Sequence, residues 1–523
     1  MMLLVLLACH AEPGGSTDAD GTTGETAADT ATPEAWCADP ASTVTYVEVG
    51  AAMGLVDTTS ADPGRKEHPP VAFADLDGDG DDDVLLGDLF TGLWLHRNDG
   101  YHFTVTSVDT VTELETLALT DLDGDRDLDL FAGGKVGGLR LYENDGGVFV
   151  DVSAAWGLAG VEVSRNIRDG AFGDYDGDGD PDLYVVTDNN GDPSDPLALH
   201  RLFRHDASTF TDVSDLIPAE GRAGLGWQAT WFDLDLDRDL DLYVANADQR
   251  VNGPSRLFRN QGADAIREQF LDFTESCTCG YTGSNMGTSP ADLDGDGLVD
   301  LFVTNTGPSP LLRNDGLLGF VDVAVATGAT AVPNADWMTF GSAAFDHDND
   351  GDLDLYAATG PLYDRPGGNQ LPDQPDVLLD ASGGLYTDVA AALGLADVGA
   401  GRGVAVGNLD GDGFPDLLVS NLGTPSRLYR ATCTAARALV VELDGPAPNR
   451  FGIGARVEVE TDAGVLTRDV GTKPGWAAAA HPRAWFGLGE ARVVSVTVRW
   501  PDGVDQAVDI SGYVDRAIVV TRE

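Results

Sequence analysis

One nine-residue pattern, Asp-x-Asp-x-Asp-x-x-x-Asp, recurs through most of this chain and constrains its fold more than any other feature. It begins at Asp75, Asp121, Asp174, Asp233, Asp292 and Asp346, and a seventh copy begins at Asn408. The starts are separated by 46, 53, 59, 59, 54 and 62 residues, periods that suit one four-stranded propeller blade each. The flanks repeat in phase. A run of small and apolar residues precedes each copy, as in Gly170-Ala171-Phe172-Gly173, and a strand such as Leu183-Tyr184-Val185-Val186 follows it. A third strand comes next, as in Leu139-Arg140-Leu141-Tyr142, then an Asn-Asp-Gly turn at 98–100, 144–146 and 314–316, then a fourth strand such as Phe320-Val321-Asp322-Val323. Strand, acidic loop, strand, loop, strand, tight turn, strand is the order of a blade.

The ends of the array predict ring closure. The seventh repeat stops after Leu428-Tyr429-Arg430 without a fourth strand, and Tyr46-Val47-Glu48-Val49 matches the missing one. An N-terminal strand that completes the last blade leaves no exposed sheet edge. Residues 437–522 then alternate in short β-runs, Leu439–Leu443, Ala455–Glu460, Val493–Trp500 and Ala517–Thr521, between Gly and Pro turns. The expectation is an all-β chain: a seven-bladed β-propeller over residues 37–435 and a small β-sandwich or barrel domain over 436–523.

Carboxylates at alternate loop positions can wrap a calcium ion, which takes six to eight oxygens. The expected ligand residues run through all seven loops. They are Asp75, Asp77, Asp79, Asp81 and Asp83; Asp121, Asp123, Asp125, Asp127 and Asp129; and Asp174, Asp176, Asp178, Asp180 and Asp182. The later loops supply Asp233, Asp235, Asp237, Asp239 and Asp241; Asp292, Asp294, Asp296 and Asp300; and Asp346, Asp348, Asp350, Asp352 and Asp354. The last loop offers Asn408, Asp410, Asp412 and Asp416. Positions 1, 3, 5 and 9 supply side chains and position 7 a backbone carbonyl. An EF-hand is the competing reading, but it requires Glu at position 12, where Leu86, Ala132 and Val185 stand between strands. The copies differ: Arg126 and Arg238 replace glycine at position 6, and Asn408 removes a charge, so these three loops are expected to bind more weakly. Up to seven structural calcium ions follow, each stapling the hairpin of its blade.

The formal net charge is -56, which excludes the basic surface a nucleic-acid backbone requires and suits bound cations. The first residues, with Leu6-Leu7-Ala8-Cys9 ending an apolar run, resemble a lipobox in which residues 1–9 form a signal segment and Cys9 is lipidated. No Lys or Arg precedes that run, and it is short for a signal core. Residues 10–36 read as a flexible acidic linker. Ring closure would bring Cys37 near Cys433, making a disulfide plausible; Cys277 and Cys279 are left as a tight bridge or as free thiols. The expected location is exported, on the outer membrane or cell surface or secreted.

These repeats resemble FG-GAP/VCBS-type propeller repeats, whose calcium loops also occur in integrin α-subunit propellers. Asn449-Arg450-Phe451-Gly452-Ile453-Gly454-Ala455-Arg456-Val457, Phe486-Gly487-Leu488-Gly489 and Val498-Arg499-Trp500-Pro501-Asp502-Gly503 resemble the ASPIC/UnbV domain that follows such repeats in proteins of the cartilage acidic protein type. The family pattern has a small charged residue where Phe451 stands. The resemblance implies calcium binding and an exported protein, and adhesion only by analogy.

If the first strand of each blade runs into its acidic loop, the loops joining strands two and three lie on the opposite face with the connections between blades. Long loops on a rigid scaffold are common binding elements. Arg165, Arg168, Arg222, Trp227, Trp337, Arg365 and Arg402 fall there and suit an extracellular glycan or protein ligand. The other reading is that the tryptophans plug the ring and the arginines pair with neighbouring aspartates. No nucleophile motif, zinc set or phosphate loop occurs. The leading expectation is thus a monomeric, non-enzymatic calcium-stabilised binding or adhesion protein; the alternative is a calcium-dependent enzyme of the polysaccharide lyase or hydrolase kind.

Overall fold

The computed structural model describes residues 41–55, 68–88, 91–100, 102–135, 138–158, 160–161, 163, 166–188, 199–247, 253–262, 269–281, 283–332, 335–361, 374–510 and 517–522, together with the strand Ala28–Asp29. Seven four-stranded antiparallel sheets form the blades of a propeller. Their innermost strands are Val71–Ala74, Leu114–Thr120, Ile167–Gly173, Gly226–Phe232, Asn285–Ala291, Thr339–Phe345 and Gly401–Gly407. Each contacts the next around the ring, and the seventh contacts the first.

The inner strands are rich in Ala, Gly, Ser and Thr because they converge on the axis. A Cβ on Gly407 would lie 2.6 Å from the ring of Phe73 in blade one. Second strands such as Asp182–Thr187 and Asp354–Thr359 are buried along their whole length. They are covered on both faces by neighbouring blades, so they read as apolar runs without alternation. Fourth strands lie at the rim: in Leu385–Asp388 only Tyr386 is buried.

Closure follows the sequence expectation. Tyr46–Glu48 pairs antiparallel with Arg427–Ala431, Tyr46 opposite Ala431, and supplies the fourth strand of blade seven.

The C-terminal region is a sandwich. One sheet orders Ala28–Asp29, Ala517–Thr521, Arg437–Asp444 and Arg483–Gly489, so two residues of the expected linker form its edge strand; the other orders Val465–Asp469, Arg456–Thr461, Val493–Arg499 and Asp505–Val508. Alternate residues of both sheets meet in one core that includes Val441, Val457, Phe486, Val498, Trp500 and Ile518. Between the sheets the chain leaves the sandwich, and Ala478–Ala480 pairs parallel with Val71–Phe73, so blade one carries a fifth strand on its axial edge. Among the described residues no helix is long and apolar enough to cross a membrane.

Candidate metal loops and the seat of the C-terminal domain

All seven acidic loops have one register. The residue before the loop pairs with its ninth residue: Ala74 with Asp83, Thr120 with Asp129, Gly173 with Asp182, and likewise through Gly407 with Asp416. Hence every loop closes a hairpin between the two innermost strands. The ninth carboxylate is buried and accepts two backbone N–H groups. In loop two, Asp129 accepts Leu122 N–H at 2.7 Å and Asn144 N–H at 2.8 Å; in loop seven, Asp416 accepts Leu409 N–H at 2.6 Å and Ala431 N–H at 2.7 Å. The first carboxylate holds the turn: Asp75 accepts Gly78 N–H at 2.8 Å and Gly80 N–H at 3.0 Å. The fifth folds back on the seventh residue, as Asp79 does on Asp81 N–H at 3.0 Å.

These bonds bring positions 1, 3 and 9 together. Asp75, Asp77 and Asp83 each offer an oxygen within 4.8 Å of the others, as do Asp121, Asp123 and Asp129; Asp174, Asp176 and Asp182; and Asp233, Asp235 and Asp241. In loop six the convergent groups are His347, Asp348 and Asp354, so a position-2 side chain that sequence reasoning passed over lies beside the cluster. His347 Nε2 is already 3.0 Å from Asp380 Oδ1. The third position leaves a buried oxygen with no hydrogen-bond partner in four loops, on Asp77, Asp176, Asp235 and Asp348. The other oxygen of Asp77 faces Arg97 at 3.2 Å, and Asp235 is paired with Arg259. Burial, reinforced by neighbouring carboxylates, pushes Asp75, Asp174 and Asp233 up to about 6, Asp121 and Asp346 to about 7, Asp83, Asp129 and Asp241 to about 8, and Asp182 to about 9. Buried oxygens without donors, in a cluster that resists ionisation, fit a hard cation.

The seventh-position side chains serve the scaffold. Asp127 accepts Gly146 N–H at 2.7 Å and Asp180 accepts Ala207 N–H at 2.8 Å, in the turns between third and fourth strands. Arg126 and Arg238 adopt φ of +80° and +76°, the left-handed turn that Gly80 and Gly179 make at the same position. The arginines therefore preserve the loop rather than open it.

A clamp between blades was not anticipated. The residue at or just before the end of the third strand is Asn98, Asn144, Asn260 or Asn314 in four blades; the sequence alone places Asn98, Asn144 and Asn314 in a turn. Asn144 Nδ2 donates to Leu76 O of the preceding blade at 2.9 Å, Asn260 Nδ2 to Tyr175 O at 2.6 Å, and Asn98 Nδ2 to Leu409 O at 3.0 Å across the ring closure. Their recurrence one period apart was the available signal.

The loop face is covered. Arg450 Nε donates to Gly124 O at 2.7 Å in loop two, Arg456 Nη1 to Gly297 O at 2.8 Å in loop five, and Gly489 N–H to Asn349 O at 2.7 Å in loop six. Arg483 Nη2 pairs with Asp82 of loop one at 2.8 Å. Arg126 and Arg238 reach the other way, to Asp444 at 3.0 Å and Asp505 at 2.8 Å. From this seat the segment 471–481 enters the axial channel. Thr472 Oγ1 donates to Leu119 O at 2.7 Å, Lys473 Nζ pairs with Asp169 at 2.5 Å, and fully buried Trp476 lies 4.8 Å from the rings of Trp227 and His68. The sequence reading placed the C-terminal domain after the propeller but gave it no face.

Several residues expected on the free opposite face are engaged within the protein. Trp227 is buried in the channel cluster with Phe340 and Trp476. Arg402 is buried, donates to His68 Nδ1 at 2.9 Å, and stacks 3.9 Å over Phe340. Arg168 pairs with Glu115 at 2.5 Å and Asp188 at 2.7 Å, and Arg222 with Asp215 at 3.0 Å. The reading of plug and paired arginines describes Trp227, Arg168 and Arg222, whereas Arg402 is held by His68, backbone carbonyls and the Phe340 ring; Trp337 is half-buried. Arg165, Arg365, Cys9 and Cys37 lie outside the described residues. Cys433 is disulfide-bonded, and Cys277 and Cys279 are joined to each other in the core between blades four and five.

The family described as FG-GAP-like repeat matches residues 121–185, 174–244 and 292–357, the FG-GAP repeat matches 400–426, and ASPIC and UnbV matches 445–516. Mouse cartilage acidic protein 1 is 26% identical over 367 residues, 68% of this chain and 54% of the relative. The human protein is 27% identical over 261 residues, 48% of this chain and 38% of the relative. The chain therefore spans about half, or less, of the length of these curated relatives. Among solved structures, Sqt1 of Saccharomyces cerevisiae has a TM-score of 0.41 at 10% identity, covering 70% of this chain and 97% of that one. An Agrocybe aegerita lectin recognising non-reducing terminal N-acetylglucosamine has a TM-score of 0.39 at 17% identity, covering 71% and 88%.

Proposed function

We propose that this chain, which carries FG-GAP-like repeats followed by an ASPIC/UnbV domain, is a calcium-stabilised extracellular binding protein of the adhesion type. The observation that carries the reading is the convergence of positions 1, 3 and 9 in successive loops, with buried oxygens there left without donors. Asp and Asn oxygens of positions 1, 3, 5 and 9 and the carbonyl of position 7 would hold the ion, which supplies the positive charge these clusters lack. The chain's own part is to fix the loop through the backbone bonds to its first and ninth carboxylates. Oxygen sets dominated by Asp suit calcium over softer metals.

The ions would be structural: each would sit in the turn of a blade's inner hairpin, and loops one, two, four, five and six also contact the covering domain. An extracellular setting is supported by the Cys277–Cys279 disulfide and by the similarity to cartilage acidic protein 1. The matched families are repeat and domain families rather than enzyme families. Recognition of a protein or glycan then falls to the propeller face away from the C-terminal domain, around Trp337. Calcium titration by calorimetry, together with thermal melts in calcium and in chelator, tests the metal reading. An unchanged melting temperature would remove it. A glycan and matrix-protein screen at saturating calcium tests the recognition reading, and product formation from any glycan would replace it with an enzyme.

A further inference from the structure

The seat between propeller and C-terminal domain is not filled. A cavity of about 290 Å³ lies around the foot of the channel segment, between the loop ends of the inner strands of blades three to seven and the sandwich. Its walls include Phe172, Trp231, Phe345, Leu353, Trp485 and Trp500. Its lining also includes Leu236, which is 42% exposed, and the arginines at 238 and 499.

The cationic side chains lining the cavity are paired with carboxylates, with one exception, and the lining also holds Asp233, Asp292 and Asp346, the first residues of loops four, five and six. Arg238 pairs with Asp505, Arg456 with Asp469, Lys473 with Asp169, Arg483 with Asp82 and Arg499 with Glu458. Arg468 has no such partner. Its Nε donates to Trp485 O at 3.1 Å and its Nη1 to Thr467 O at 2.9 Å, both neutral carbonyls, while Nη2 is buried and bonded to nothing. The indole Nε1 of Trp485 is buried and unpartnered as well. The carboxylates nearest in charge are Asp346 and Asp292, the first residues of loops six and five. Each spends an oxygen on its own turn, on Gly351 N–H at 2.8 Å and Gly297 N–H at 3.0 Å, while the other oxygen of Asp292 is buried and without a partner, open to the cation of loop five.

We propose that this cavity is a binding site for a compact oxyanion, a carboxylate- or phosphate-bearing small molecule of monosaccharide size, held by Arg468 and Trp485. Two backbone carbonyls fix the guanidinium, so its free N–H edge is set before a ligand arrives, which limits the ordering cost of binding. A guanidinium favours planar or tetrahedral oxyanions through paired N–H donors, and the indole N–H adds a neutral donor. Aromatic walls suit the ring or carbon skeleton of such a ligand. The volume sits near the lower end of small-molecule sites, roughly 300 Å³ upward, and excludes a polymer segment. This inference rests on the calcium reading in one respect: with loops five and six loaded, Asp292 and Asp346 are committed to their ions, and Arg468 needs an outside counter-charge.

The test uses the full chain at saturating calcium. Galacturonate, glucose 6-phosphate, inorganic phosphate and uncharged glucose are titrated calorimetrically and by tryptophan fluorescence. Binding of galacturonate or of glucose 6-phosphate, tenfold or more tighter than glucose, is expected; the two arms separate carboxylate from phosphate. Arg468→Met should weaken the bound probe at least tenfold, and Arg468→Lys should recover part of that loss. Trp485→Phe, which removes only the indole N–H donor, should weaken it severalfold and serves if Arg468→Met does not fold. No binding of any charged probe at millimolar concentration overturns the proposal, as does an unchanged Kd in both Arg468→Met and Trp485→Phe. Calcium-dependent melting is read on the same samples, so failure of the anion site and failure of the calcium reading give different results.

Discussion

Arg126 sits in a left-handed turn at φ +80° with its guanidinium 3.0 Å from Asp444 of the C-terminal domain. The strain of a non-glycine residue there costs about 1–2 kcal/mol, and the contact offsets part of it. Arg126→Gly is expected to leave calcium binding at loop two intact or tighter while loosening the seat. Arg126 and Asp444 are partly exposed, at 38% and 18%, so the pair contributes no more than about 1 kcal/mol. Proteolysis across the junction at residues 431–437 should accelerate in Arg126→Gly and further in Arg126→Gly/Arg238→Gly. Unchanged cleavage would show that the remaining contacts carry the seat alone.

The ninth carboxylates are the most demanding loop residues. Asp129 takes the N–H groups of Leu122 and Asn144 while 1% exposed. Asp129→Ala leaves both donors buried without an acceptor, at about 1–3 kcal/mol each. Asp129→Asn keeps an acceptor oxygen and should recover part of this. Urea unfolding in chelator measures that structural share; the further loss in calcium measures the metal's.

The inter-blade clamp makes a separable prediction. Asn144 Nδ2 donates to Leu76 O at 2.9 Å and to Leu128 O at 3.2 Å. Asn144→Ala should destabilise the protein by about 1–3 kcal/mol and leave the calcium affinity of loop two nearly unchanged. Its backbone N–H still reaches Asp129. A tenfold loss of calcium affinity would show that the clamp shapes the loop as well.

The blades were legible in the sequence because one physical device repeats: a hairpin whose turn is tied by Asp at positions 1 and 9 to backbone N–H groups. That device fixes spacing, register and burial together, so Asp83 and Asp416 fall in equivalent places 333 residues apart. The seat was not legible. Much of it is single contacts such as those of Arg450, Arg456 and Gly489, each to a loop carbonyl that any residue could offer. The channel segment Gly471–His481 carries no pattern either, since its fit depends on close approach to the axis. A Cβ on Gly475 would stand 2.1 Å from Ser342 O. The opposite-face arginines stayed open between two readings because sequence shows a charge without its partner. Arg168 is held between Glu115 and Asp188.

Burial of the carboxylates predicts an inverted pH response in metal-free protein. Asp174 is pushed up to about 6, Asp83 and Asp129 to about 8, and Asp182 to about 9, against about 3.9 in the unfolded chain. A raised carboxylate pKa means that the folded state holds protons the unfolded state has released. Stability therefore falls as pH rises from about 4 through 8 to 9. In chelator the melting temperature should drop steadily over that window. Saturating calcium, which favours the ionised form, should flatten or reverse the slope. A chelated protein whose melting temperature rises from pH 5 to pH 8 would show that these carboxylates are ionised without a metal.

Trp476 fastens the covering domain to the ring. It is 0% exposed and packs against Trp227, His68 and Phe340 at ring separations of 4.8, 4.8 and 6.0 Å. Trp476→Ala removes a large buried side chain, at about 3–5 kcal/mol, from a contact between domains rather than from either domain's core. The sandwich core around Trp500 and Phe486 contains none of its contacts; on the propeller side they include Trp227 and Phe340, at the axial ends of two inner strands. Calorimetry should therefore show one cooperative transition in the parent and two in Trp476→Ala, the sandwich melting apart from the propeller. A single transition shifted to lower temperature would instead mean that the seat's polar contacts hold the domains together without the tryptophan.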